Sequence, residues 1–159
     1  MEHLVTWVSS RLRGKCFLDV YGGTGLFSIA LHDRFESGTL IEVAKPLIAR
    51  AQENFVRNNI RNIDAVHTSA EQFLAARHSR DFVDCLVVDP PRPGLTRKVR
   101  ESIRALAPPT LLYVSCNPAT QARDVGFFAD KCGFKIERGA LFDFYPQTHH
   151  LESVLLLRR

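Results

Sequence analysis

Short apolar, β-branched runs alternate along this chain with longer stretches of helical periodicity, and glycine, proline or asparagine stands at most of the joints. That alternation is the signature of βαβ units, so the expected fold class is α/β: a mostly parallel sheet with helices on both faces. Lys15-Cys16-Phe17-Leu18-Asp19-Val20-Tyr21 reads as a first strand, followed by a glycine turn and a helix to about His32. Gly38 to Glu42 reads as a second, and Pro46 suits the first turn of a helix running to about Asn58. Ile63 to Val66 is a short third strand, and Glu71 to Arg77 is helical. Phe82 to Val88 reads as a fourth strand buried on both faces, and Leu111 to Ser115 as a fifth. Gly133 to Phe144 and His150 to Leu157 are extended runs joined only by residues 145–149. So short a link holds no crossover helix, so this last pair is expected to be antiparallel. Residues 1–13 read as a helix with Leu4, Trp7, Val8 and Leu12 on one face.

With 159 residues, 45% of them hydrophobic, the chain is long enough for one good core, and residues 1–159 are expected to form a single domain. No apolar run reaches the roughly 18 residues of a membrane helix. The first residues lack the basic start and apolar stretch of a signal peptide, so a cytoplasmic location is expected. Cysteines at 16, 85, 116 and 132 form no C-x-x-C pair, which argues against zinc ligation and a disulfide framework. The net charge of +4 suits a polyanionic partner without requiring one. Arg92, Arg97, Lys98, Arg100 and Arg104 crowd one segment. They form either a basic face that holds phosphates beside a crevice or a solvated helix face.

The residues that carry chemistry stand where strands give way to turns. Cys116 follows the fifth strand and precedes a helix start at Asn117-Pro118. In open parallel sheets the ligand crevice lies outside the carboxyl ends of the strands, so a thiol there is either a nucleophile or a small buried residue closing the strand. Asp19-Val20-Tyr21-Gly22-Gly23-Thr24-Gly25 follows the first strand, and its glycines let the backbone pass close beneath a nucleotide-like ligand. The spacing departs from G-x-G-x-x-G, which weakens a dinucleotide reading. Glu42, about 20 residues after the loop, is placed to accept hydrogen bonds from ribose hydroxyls or to cap the next helix. Glu71 either nears an adenine edge or is a plain helix-start acid. Asp89-Pro90-Pro91 closes the fourth strand, and the two prolines fix a rigid extended loop that holds Asp89 at the crevice. His149 and Glu152 suggest metal ligands, but His149 and His150 are adjacent on an extended run and face opposite ways, so no metal site is expected. Phe144 and Tyr145 serve either to stack an unstacked base or to pack the core.

Four motifs, taken in order, resemble those of the S-adenosylmethionine-dependent RNA 5-methyluridine methyltransferases, which act on C5 of uridine in tRNA and rRNA. They are D-x-Y-x-G-x-G at Asp19 to Gly25, D-P-P-R-x-G-L at Asp89 to Leu95, S-C-N-P-x-T-x-A-R-D at Ser115 to Asp124, and P-Q-T-x-H-x-E at Pro146 to Glu152. The first is shared by many methyltransferases; the last two are long and specific. The resemblance covers roughly residues 15 to 157. It implies a class I methyltransferase, Rossmann-like fold with a seven-stranded sheet whose last strand is antiparallel. It implies S-adenosylmethionine as cofactor, bound by Asp19, Tyr21, Gly22, Gly23, Gly25, Glu42 and Asp89. It makes Cys116 the nucleophile that adds to uracil C6 and Glu152 the base that removes the C5 proton. Pro90, Arg92, Asn117, Arg123, Gln147 and His150 become the expected substrate contacts, with tRNA or rRNA as partner.

Members of that family are longer. They carry an N-terminal RNA-binding domain, often an iron-sulfur cluster, and a glutamine segment that touches the cofactor; none of these is found in the sequence. The chain is therefore expected to be the catalytic domain alone, as a fragment or a truncated product. Two other readings stay open at this level: a non-catalytic cofactor- or RNA-binding remnant, and a methyltransferase acting on an exocyclic amine, for which the Asp-Pro-Pro loop suffices and Cys116 is inert.

Overall fold

The computed structural model describes residues 2–77, 81–144 and 151–159. Among them one sheet is built from β1 (Gly14–Val20), β2 (Phe35–Glu42), β3 (Ile63–His67), β4 (Cys85–Val88), β5 (Thr110–Ser115), β6 (Lys135–Phe142) and β7 (Glu152–Arg158). Their order is β3-β2-β1-β4-β5-β7-β6. The first five are parallel, and β7 runs antiparallel to both β5 and β6. The sheet bears out the expected fold class.

Side chains alternate across the sheet, so each strand feeds two cores. Phe17, Leu40, Val87, Leu112 and Val154 point to one side, where they meet α1 (Glu2–Ser9), α2 (Leu26–Leu31) and α3 (Lys45–Arg57) through residues such as Val8, Leu31 and Phe55. Leu18, Ile41, Leu86, Tyr113 and Leu157 point to the other, against α4 (Ala70–Ala75), α5 (Arg97–Leu106) and α6 (Pro118–Cys132) through Leu74, Ile103 and Phe128. Every residue of β4 and β5 is buried, whereas β6, at the edge, is mostly exposed. A fully buried side chain of the Leu or Phe class contributes about 1.5–3 kcal/mol, so this two-sided core is what holds the strand ends in register.

Helix ends follow their local chemistry. The Thr96 hydroxyl accepts from the Val99 amide to start α5, and the Asn117 side chain accepts from Ala119 and Thr120 to start α6. Gly133 ends α6 in the left-handed region at φ 73°.

Several boundaries differ from the expectation. β4 begins at Cys85, and Phe82 is 65% exposed. Just before β4, the Asp84 amide donates to the Cys16 carbonyl at 2.9 Å, and the Asp84 carboxylate accepts the Cys16 amide at 3.0 Å where a strand would offer a backbone carbonyl. The first helix ends at Ser9, although Leu12 beyond it is buried as expected. β2 starts earlier, at Phe35, because Phe35 is buried and pairs with Gly14. Among the described residues no helix is long and apolar enough to cross a membrane.

β1 has β2 on one side and β4 on the other, so the chain reverses its winding direction there. The crevice of such a sheet opens above the carboxyl ends of these two strands.

Candidate active site

The cofactor end is built from backbone. Asp19, fully buried, accepts from the Ser28 amide at 3.0 Å and the Ser28 hydroxyl at 2.7 Å, both on Oδ2, and so pins α2 to β1. Its Oδ1 is buried and has no hydrogen-bond partner among the described residues. Burial pushes the Asp19 pKa up to about 6, against the pull of the Ser28 bonds, and the nearby Glu42 charge adds to the rise. Glu42 ends β2 and ties down the glycine loop: Oε2 accepts the Gly23 amide at 3.1 Å and Oε1 accepts the Ala44 amide at 2.8 Å. The second bond holds Ala44, the residue just before α3, whose first turn has no side-chain cap, while each oxygen keeps a lone pair for another donor. The glycines differ in purpose. A Cβ on Gly22 would lie 2.5 Å from Leu40 Cγ, so that position is set by packing. Gly23, at φ +55°, has no atom of the described residues within 4 Å of where its Cβ would stand, which leaves room for a ligand there. Tyr21 also has positive φ, 65°, and its half-buried ring packs against the α4–α6 core, where burial, Glu71 and Asp124 raise its hydroxyl pKa. Glu71 itself accepts the Thr96 hydroxyl at 2.9 Å, which ties α4 to the start of α5.

The reaction end is built from side chains. Asp89 follows β4, and its amide donates to the Val20 carbonyl at 3.3 Å. The residue opens to solvent at the crevice mouth, yet protein surrounds the carboxyl on its other sides. That desolvation, then the charges of Glu152 and Asp19, pushes its pKa up to about 7. Glu152, half-buried at the first position of β7, is also raised, by desolvation. A cavity of about 160 Å³ lies between these carboxylates, walled by Leu4, Phe27, Val114 and Phe144. Phe144 stacks on Phe142 at 6.1 Å between ring centroids.

Strand register brings the nucleophile candidate to the same end. Val114 pairs with Val154 and Ser115 with Ser153, so Cys116 and Glu152 are next in line on adjacent strands. Continuing the alternation of each strand, Asp19, Glu42, Asp89, Cys116 and Glu152 all fall on the face that carries α1 to α3. Ser115 shapes the turn that presents the half-exposed Cys116: its hydroxyl accepts the Asn117 amide at 3.0 Å.

The opposite face carries a clamp. Asp124 on α6 is fully buried; Oδ2 accepts the Leu95 amide at 2.8 Å and the Tyr113 hydroxyl at 2.7 Å, while Oδ1 accepts from Arg100 at 2.8 Å and Arg123 at 2.9 Å. Burial and the bond to Asp124 raise the Tyr113 pKa. Arg123 also donates to the carbonyls of Pro93 and Leu95, and the Asn117 and Thr120 side chains donate to the carbonyl of Arg92. Gln121, 2% exposed, donates to the carbonyls of Tyr113 at 3.0 Å and Ser153 at 3.2 Å.

These contacts revise several expectations. Asn117 and Arg123, expected to touch substrate, also serve the fold: Asn117 caps α6, and both grip the 92–95 loop. Pro90 is buried beside Asp89, and Arg92 is exposed at the rim. The basic segment does not form one face. Arg100 turns inward because a buried carboxylate demands a cation, and Arg104 pairs with Glu101 at 3.1 Å. Gln147, His150 and Tyr145 lie outside the described residues. Among those described, no cluster of His, Cys, Asp and Glu is placed to hold a metal ion. Gln121 and Tyr113 had no role in the sequence reading, Asp124 entered it only as the last residue of a motif, and Arg100 only as part of the basic segment. One signal was present: Gln121 and Asp124 share the helical spacing of Val125 and Phe128, which marks polar residues on a core-facing stripe.

A sheet of order 3-2-1-4-5-7-6 with one reversed strand and a glycine loop at its switch point defines the class I, Rossmann-like methyltransferase fold. An rRNA methylase from Streptococcus thermophilus shares that fold at a TM-score of 0.72 and 12% identity over 99% of this chain and 94% of its own. The tRNA (Uracil-5-)-methyltransferase family model matches residues 1–159, and the chain belongs to that family. It is 32% identical, at a TM-score of 0.84, to the Pyrococcus abyssi tRNA (uracil-54, C5)-methyltransferase solved with S-adenosyl-L-homocysteine, over 98% of this chain and 37% of that one. It is 36% identical over 150 residues to the Schizosaccharomyces pombe tRNA (uracil(54)-C(5))-methyltransferase, covering 92% of this chain and 28% of the relative. The Photorhabdus laumondii tRNA/tmRNA (uracil-C(5))-methyltransferase is 36% identical over 173 residues, covering 99% and 46%. The chain thus spans less than half the length of these relatives.

Proposed function

We propose that this chain is the catalytic domain of an enzyme that moves a methyl group from S-adenosylmethionine to C5 of uridine in tRNA, through a covalent adduct at Cys116. The observation that supports this reading is that strand register brings Cys116 next in line to Glu152, at the end of the sheet where Glu152 and Asp89, two carboxylates of raised pKa, line a small cavity.

The cofactor fits what the residues offer. Gly23 leaves open room over the loop, Glu42 keeps acceptor capacity for hydroxyls at its rim, and Asp19, Glu42 and Asp89 set a negative potential suited to a cation. When bound, it supplies an electrophilic methyl on a positively charged sulfur.

Uracil C5 is too weak a nucleophile to take that methyl unaided. Cys116, as thiolate, forms a bond to C6, and the C5–C6 π electrons move toward C5 and O4 as an enolate. C5 would then take the methyl that bound S-adenosylmethionine supplies, the electrons of the broken methyl–sulfur bond staying on the sulfur of the departing S-adenosylhomocysteine. Glu152 removes the C5 proton, the C5–C6 double bond re-forms, and the Cys116 sulfur leaves C6 with its electron pair. Burial suits Glu152 to this task, since a raised pKa makes a stronger base. Asp89, raised to about 7 by burial and then by the Glu152 and Asp19 charges, lines the same cavity as Glu152, which suits it to help position cofactor and target.

The test uses a short RNA carrying 5-fluorouridine, because fluorine at C5 blocks elimination. With S-adenosylmethionine present, intact-mass spectrometry is expected to show a protein–RNA adduct that carries the methyl group and is absent from Cys116→Ala. Methylation of uridine by Cys116→Ala at the wild-type rate would rule the mechanism out.

A further inference from the structure

We propose that Asp124 is a positioning residue for this reaction: from the far face of the sheet it locks the Asp89–Leu95 loop to the Cys116 turn, so that both address the same base. The inference rests on the roles given above to Asp89 and Cys116.

Both carboxylate oxygens of Asp124 are filled by donors from four segments. Leu95 belongs to the loop after β4, Tyr113 to β5, Arg100 to α5 and Arg123 to α6. The Leu95 amide is the backbone member, so the loop cannot shift without leaving a buried charge short of a donor, a loss that is costly in a low-dielectric interior. A second set of bonds points the same way. Arg123 grips the Pro93 and Leu95 carbonyls, and Asn117 and Thr120, in the turn directly after Cys116, grip the Arg92 carbonyl. Gly94 shows how little slack remains: at φ +76°, a Cβ there would stand 2.7 Å from Asp124 Oδ2 and 2.8 Å from Arg123 Nη2.

The cluster is poorly explained as a device for stability alone. Apolar residues of equal volume often serve as well as a buried ion pair, and Arg100 Nε is buried without an acceptor among the described residues. What the charged cluster adds is register between two loops that both reach the crevice.

Three substitutions test this in the 159-residue chain: Asp124→Asn, Gly94→Ala, which wedges the clamp while keeping every member, and Arg123→Lys, which keeps the charge and loses the fork. Two quantities are measured: the rate of adduct formation against RNA concentration with 5-fluorouridine RNA and S-adenosylmethionine, and hydrogen exchange at the Leu95 amide by NMR. The maximum rate is expected to fall at least tenfold per folded molecule with half-saturating RNA within twofold of wild type, and Leu95 exchange to quicken at least tenfold. An unchanged Leu95 amide in the folded variants overturns the proposal, as does a rate loss that only tracks the folded fraction. A rise in half-saturating RNA with an unchanged maximum rate would make Arg123 an RNA contact and likewise overturn it. If wild type itself forms no adduct, the functional reading fails by itself, and Leu95 exchange still decides whether Asp124 holds the loop.

Discussion

The two faces of the sheet do different work at the same edge. On the α1–α3 side the groups left open to a ligand cluster: Asp89 and Glu152 border a cavity and Cys116 is half-exposed. On the α4–α6 side the polar groups are consumed by one another, and Asp124, Gln121 and Tyr113 are all but inaccessible. On the function proposed above, the first face is the one that meets substrate, and it keeps unsatisfied capacity and elevated carboxylate pKa values. A face that must hold still closes every hydrogen bond it can. The long S-C-N-P-x-T-x-A-R-D run serves both: Cys116 belongs to the first face, Asp124 to the second, and Asn117, Thr120 and Arg123 join the loops between them.

The largest effect should come from the open face. Glu152→Gln is expected to slow uridine methylation by about 10²–10⁴-fold while the 5-fluorouridine adduct still forms, because a general base contributes on that order and acts after addition. The wild-type rate should rise with pH through an acid limb above the ordinary carboxylate range, since Glu152 must be ionised and its pKa is raised. That limb should be lost in the variant; single-turnover pH profiles read both.

Asp19 gives the next effect, on stability. Its folded pKa of about 6 lies above the ordinary aspartate value of 3.8, so the folded state binds its proton more tightly. The contribution is fully favourable below about pH 4 and is lost as pH rises through 6, with a ceiling of about 3 kcal/mol at neutrality for a shift of this size. Asp19→Asn should remove that slope in urea titrations at pH 4.5 and 7.5. If both proteins lose stability equally over that range, Asp19 is not the strained member of the open face.

Two glycine substitutions separate packing from ligand room. Gly22→Ala should cost about 1–3 kcal/mol by overpacking against Leu40. Gly23→Ala meets no atom within 4 Å and should cost about 1 kcal/mol from its left-handed backbone, with S-adenosylhomocysteine affinity falling more than stability. Equal affinity losses, measured by calorimetry, would remove the distinction between the two positions.

The smallest effect belongs to the closed face. Gln121→Leu removes the donors to Tyr113 and Ser153 and should cost about 1–2 kcal/mol in thermal unfolding. It should also slow release of the adduct from uridine RNA a few-fold, because Ser153 neighbours Glu152. Unchanged release would confine Gln121 to the core.

Much of this was legible before any coordinates. Alternating apolar runs and glycine joints determined the α/β class, and the short link before His150 determined the reversed last strand, because period-two and period-3.6 burial are properties of local spacing. Cys116 was legible at a strand end for the same reason. Asp84 and Arg100 were not: one replaces a ladder bond at the start of β4 and the other leaves a basic cluster for a buried carboxylate, and both partners lie far away in sequence. Tertiary structure alone decided that Asn117 and Arg123 grip the neighbouring loop, that Asp19, Asp89 and Glu152 carry raised pKa values, and that Asp124 sits at the centre of the clamp. Sequence sets what each residue can offer; burial and the choice of partner across the fold set which offer is taken up, because desolvation and hydrogen bonding act through space.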